Sequence, residues 1–123
     1  SFLGFRHGPR SVVDETTLMV YYFSNKPEVY RYERDFVKSM DHGKKNLFQL
    51  GISESKLPGL PLDAHLLLSD SSEKLREDLL PVCYILIGQI LGFYKSLELG
   101  LQPDSPSKSG AISRVVEGVI IYD

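Results

Sequence analysis

The chain has 123 residues, with 14 basic side chains against 16 acidic ones and a net charge of −2. Its 42% hydrophobic and 24% charged content is that of a folded domain, not a disordered tail. The slightly acidic balance argues against recognition of nucleic acid by bulk phosphate neutralisation, and the length favours a single domain.

The opening segment, Ser1-Phe2-Leu3-Gly4-Phe5-Arg6-His7, has neither an initiator Met nor the charged and apolar regions of a secretory leader. It reads as a processed chain or a piece of a longer one. His7-Gly8-Pro9 opens a short helix-like segment, because Pro suits the first helical turn. Thr17 to Phe23 is an unbroken run of apolar, β-branched and aromatic residues, as expected of a strand buried on both faces of a parallel sheet.

Ser24-Asn25-Lys26-Pro27-Glu28 predicts a helix start. Val29, Tyr32, Phe36, Val37 and Met40 follow at helical spacing, with Gly43 as the stop. Tyr30, Tyr32 and Phe36 read as packing residues of that helix. Leu47 to Gly51 is a second strand, Ser53 to Asp63 a loop with two prolines, and Ala64 to Ser69 a third strand. Strands separated by a helix predict a βαβ unit.

From Leu75 to Leu99 the chain is apolar all round, which predicts a helix buried against a sheet on one side and another helix on the other. Its core, Leu79 to Tyr94, falls short of the roughly 20 residues of a bilayer span. The region is predicted to form a dimer or interdomain surface. Residues 100–123 read as a Pro/Ser/Gly-rich loop and a C-terminal tail. Cys83 is the single cysteine, read as a buried inert thiol, and it fits a reducing compartment such as the cytosol. His42 and His65 have no second ligand at a metal-like spacing and read as structural or surface residues. Gly-rich phosphate loops are absent from the sequence, which argues against a nucleotide site.

Two stretches carry a resemblance. Gly4-Phe5-Arg6-His7-Gly8-Pro9, followed by Asp14 and a buried strand, resembles the histidine-glycine-proline segment of sugar isomerase (SIS) domains. Pro103 to Gly110, continuing through Arg114-Val115-Val116-Glu117-Gly118-Val119, is similar to the C-terminus of bacterial tagatose-6-phosphate ketose/aldose isomerases, also described as galactosamine-6-phosphate deaminase/isomerases. The resemblance implies an α/β, three-layer αβα SIS domain with a parallel sheet, of which residues 1–123 are the C-terminal part. The sheet's opening strands would precede Ser1.

The same resemblance implies an activity: aldose–ketose isomerisation, or deamination, of a galactosamine 6-phosphate or tagatose 6-phosphate type of substrate. It implies no metal and no organic cofactor. His7 matches the histidine assigned to ring opening, and an imidazole titrating near about 6.5 suits that proton transfer. The alternative is a loop histidine that only caps a turn. The carboxylate that moves the C1–C2 proton would lie upstream of this chain, and Asp14 reads as a turn residue.

Arg6 and Arg10 flank His7 as candidate phosphate ligands, with solvated surface charges as the alternative. By the same resemblance Lys108, Arg114 and Glu117 of the tail are candidates for capping the sugar site, Ser109 is a candidate substrate contact with a plain loop residue as the alternative, and Glu117 stands where the related synthase family has a lysine. The implied partners are a phosphorylated sugar and either a second copy or a preceding SIS domain, with no nucleic acid or membrane. The implied location is cytoplasmic. The rival reading is a non-catalytic sugar-phosphate-binding module, a regulator or an inactive fragment.

Overall fold

A computed structural model describes residues 2–41, 47–102 and 109. Its elements are α1 (Phe2–Phe5), a 3-10 turn (Pro9–Val12), β1 (Leu18–Tyr22), α2 (Pro27–Asp41), β2 (Phe48–Ser53), β3 (Ala64–Leu67) and α3 (Leu80–Glu98). The three strands form one parallel sheet in the order β1-β2-β3. β1 and β2 run in register from Leu18 opposite Phe48 to Tyr22 opposite Ile52. β2 and β3 pair from Leu50 opposite Ala64 to Ser53 opposite Leu67. This is the expected α/β fold.

Alternation along β1 assigns its faces. Tyr21 stacks on Phe2 of α1, and Phe23 meets Tyr30 of α2 edge-on. Tyr22 points the other way, onto Tyr84 in the opening turn of α3. Helices therefore lie on both faces of the sheet, giving three layers. The main cluster of buried residues joins Val13, Tyr21, Phe23, Phe36, Val37, Met40 and Leu47.

Several elements depart from their expected form. α1 was not foreseen: Phe2 and Phe5 lie one helical turn apart and both reach Phe36. Helical structure resumes only at Pro9, after the turn that carries His7. The inward face of α2 is set by Tyr30, Glu33, Phe36, Val37 and Met40, whereas Tyr32 is 63% exposed. Tyr32 thus corrects the packing assignment, and a buried carboxylate, Glu33, takes the inward place one residue on. The expected stop at Gly43 lies outside the described residues.

β2 runs on to Ser53 because its last residues pair with β3. Gly51 is a strand position, among the described residues, where a side chain has no room: an added Cβ would come within 2.5 Å of Leu62 and 3.1 Å of Phe23. That contact folds the β2–β3 loop back over the sheet.

The chain divides into two compact units, Ser1–Tyr84 and Ile85–Asp123. In the first, Leu80 and Tyr84 of α3 are buried and the Tyr84 hydroxyl donates to the Phe23 carbonyl at 2.5 Å. In the second, α3 ends in a Schellman motif. Gly100 adopts φ +68, its N–H bonds the Leu97 carbonyl at 2.9 Å, and the Leu101 N–H bonds the Ser96 carbonyl at 2.8 Å.

The expectation of all-round burial fails for α3 in this chain. Val82, Ile85, Leu86, Ile90, Phe93 and Leu97 are exposed, because the described residues supply a sheet against one side of the helix start only. Cys83 is half-buried rather than buried. By length and composition α3, at 19 residues, is long and apolar enough to cross a membrane, which corrects the expectation drawn from Leu79 to Tyr94.

Candidate functional site

The His7 turn is built on aromatic residues. Phe2 sits among Tyr21, Phe23 and Phe36, with ring centroids 5.6–5.9 Å apart. Phe5 meets the same Phe36 ring edge-on at 5.8 Å. These contacts anchor the segment before the turn. Val13, 3% exposed, anchors the segment after it. Between the anchors the His7 N–H bonds the Gly4 carbonyl at 3.2 Å, and the Ser11 N–H and hydroxyl both bond the Gly8 carbonyl. His7 itself is exposed, and its imidazole has no hydrogen-bond partner among the described residues.

Both flanking arginines engage α2. The Arg6 guanidinium lies over the Phe36 ring, 5.4 Å from its centroid. An Arg10 Nη donates to the Ser39 carbonyl at 3.0 Å. Downstream, the Asp14 carboxylate accepts from the Thr16 N–H, the Thr16 hydroxyl and the Thr17 hydroxyl, closing an Asx turn into β1. Arg6 and His7 thus share the turn and Arg10 follows in the 3-10 segment, with both arginines held against α2. Ser109 is an exposed turn residue. Lys108, Arg114 and Glu117 lie outside the described residues.

A second polar cluster occupies the C-terminal ends of β1 and β2, the edge where open parallel sheets bind ligands. The Ser24 N–H donates to Glu33 at 2.9 Å and the Ser24 hydroxyl to Glu77 at 2.6 Å. Lys26 forms an ion pair with Glu77. Asn25 donates to Glu54 and to the Leu75 carbonyl, and the Leu75 N–H donates to Glu54. The loop before α3 is thereby fastened across the strand ends.

Burial pushes the Glu33 carboxyl above its ordinary value, against the Ser24 N–H, which pulls it down. Hydrogen bonds from Lys26 and Ser24 pull Glu77 below its own. Sequence reasoning missed this cluster. Its partners are up to 53 residues apart, and no local spacing announces them.

Ser53 and His65 make a third polar contact, 2.7 Å between Oγ and Nε2. The Ser53 hydroxyl donates to the Ser55 carbonyl, so it accepts from an Nε2–H of His65. Burial lowers the His65 value, with Lys56 adding to it. A serine that donates to a backbone carbonyl and receives from its histidine is tied down, not activated as a nucleophile. Among the described residues no three or more His, Cys, Asp or Glu side chains are grouped so as to hold a metal ion.

The chain, a parallel sheet layered by helices with a histidine turn seated on its second helix, is similar in sequence and fold to proteins named as sugar-phosphate deaminases and isomerases. It superposes on a Clostridium novyi protein described as a candidate tagatose-6-phosphate ketose/aldose isomerase with TM-score 0.85 and 37% identity, covering 100% of this chain and 32% of that one. It also superposes on tagatose-6-phosphate ketose/aldose isomerase from Escherichia coli with TM-score 0.74 and 27% identity, covering 100% of this chain and 30% of that one.

In sequence it is 36% identical over 120 residues to D-galactosamine-6-phosphate deaminase AgaS of Shewanella sp. (strain ANA-3), across 98% of this chain and 28% of the relative. Escherichia coli AgaS is 32% identical over 97% of this chain and 31% of its own length. No family model matches the chain. The chain is thus similar along nearly its whole length to galactosamine-6-phosphate deaminases and tagatose-6-phosphate ketose/aldose isomerases. It spans about a third of the length of these relatives.

Proposed function

We infer that the protein carrying this chain is a cytosolic sugar-phosphate isomerase or amino-sugar-phosphate deaminase, and that His7 opens the sugar ring. What supports the role is the exposed imidazole at the apex of a turn anchored on both sides in the core, in a chain similar to AgaS deaminases throughout. An imidazole can deliver a proton to the ring oxygen and take one from the anomeric hydroxyl, freeing the C1 aldehyde.

A carboxylate outside this chain then carries the C2 proton to C1 through an enol intermediate. For a 2-amino sugar this leaves an imine at C2. Water adds there and ammonia departs, giving the ketose phosphate. The exposed stripe of α3 is assigned to contact with the rest of the polypeptide or with a second copy. Ser109, Arg114 and Glu117 are assigned to binding of the sugar phosphate, by the family resemblance alone.

His7→Asn in the full-length protein should lower turnover of galactosamine 6-phosphate by about 100-fold or more, the range of a lost acid–base group. Circular dichroism checks that the fold is retained. Wild-type turnover in the variant would remove His7 from the reaction. Stoichiometric sugar 6-phosphate binding with no product, in the unaltered protein, would replace the enzyme with a sensor.

A further inference from the structure

We propose that one face of α2, formed by the Phe36 ring and the Ser39 carbonyl, is the seat that positions His7, and that Arg6 and Arg10 are positioning residues which grip it. This rests on the ring-opening role proposed for His7. Neither α1 nor the 3-10 turn, at four residues each, sustains itself. The orientation of residues 6–8 between them is therefore set by longer-range contacts.

Two such contacts bracket the histidine, and both land on α2 three residues apart. The Phe36 ring is 1% exposed and locked by Phe2 and Phe5, so it offers Arg6 a fixed face. Ser39 lies in the last turn of α2, where carbonyls have no intrahelical partner and the helix end is negative. Arg10 supplies that carbonyl with a donor and a charge. The Ser39 hydroxyl bonds the Phe36 carbonyl at 2.6 Å and ties the two halves of the seat together. With one guanidinium face on a ring and the other head on a carbonyl, the arginines are directed at the helix, not toward a shared phosphate.

The test uses the full-length protein with galactosamine 6-phosphate as substrate. Arg10→Ala should lower kcat by about 10- to 100-fold, the cost of an ångström-scale misplacement, with KM near wild type. Arg10→Lys, which keeps a donor and charge for the Ser39 carbonyl, should recover most of that loss. Adding Arg10→Ala to His7→Asn should cost nothing further, because the arginine acts through the histidine.

Phe36→Leu should mimic Arg10→Ala, and the exposed Arg10 variants keep the test decisive if the Phe36 variant misfolds. A raised KM with unchanged kcat in Arg10→Ala would make Arg10 a substrate ligand and overturn the seat. Wild-type kinetics in the Arg10 variants, with His7→Asn inactive, would overturn the seat alone. A fully active His7→Asn would overturn both the seat and the role it serves.

Discussion

Glu33 is the residue on which folding and charge conflict. It is 7% exposed, its carboxylate accepts the Ser24 N–H, and Glu77 reaches the same serine from the other side. Burial raises its pKa above the ordinary 4.5. An acid whose folded value is raised favours the native state while protonated. That contribution is complete below the unfolded value and is lost as pH rises through the raised folded value. Glu77 has the opposite sign, since its depressed value gives stability that is lost on acidification.

Glu33→Gln keeps an acceptor for Ser24 and removes the buried charge. In the full-length protein it should be at least as stable as wild type at neutral pH, while losing the decline that wild type shows above about pH 4.5. Denaturant midpoints across that range measure this, and parallel curves for the two proteins would refute the assignment. The sequence marked this helix by its apolar spacing. It did not mark Glu33, because a carboxylate at helical spacing looks like a solvated one until its neighbours are known.

At the scale of elements, β2 carries a tight steric requirement at Gly51. Gly51 faces Phe23 and the Leu62 side chain, and the Leu62 methyl fills the space a Cβ would need. Gly51→Ala should destabilise the full-length protein by about 1–3 kcal/mol, the cost of overpacking a filled site. A thermal melt within error of wild type would mean that Leu62 and the loop simply move aside. The strands were legible as three short apolar runs, and so was the loop between β2 and β3. The pairing that extends β2 to Ser53 was not legible, because it depends on where β3 docks. α1 was also invisible, since four residues carry no periodicity and Phe2 and Phe5 become helical by filling a gap beside Phe36.

On the scale of the whole molecule, α3 makes the largest demand. Its first turn is seated by Leu80 and Tyr84, yet Val82, Ile85, Leu86, Ile90, Phe93 and Leu97 are exposed in this chain. Exposed apolar patches of this size mark contact surfaces, and the stripe is where the proposed contact with the rest of the polypeptide or a second copy would fall. Leu86→Lys in the full-length protein should lower stability by well over the about 0.5 kcal/mol of an ordinary surface substitution. An unchanged melting temperature would mean that the stripe faces water.

By itself the sequence determined the α/β class, the parallel strands, the long apolar helix and the short helical segment that Pro9 opens. Apolar periodicity and short motifs are local, and local order survives reading one residue after another. The tertiary structure alone decided that Arg6 and Arg10 face α2, that Glu33 is buried while Tyr32 is exposed, and that acids close the strand ends. Those outcomes depend on contacts between residues about 20 to 50 positions apart, where desolvation and geometry, not residue type, select the partner.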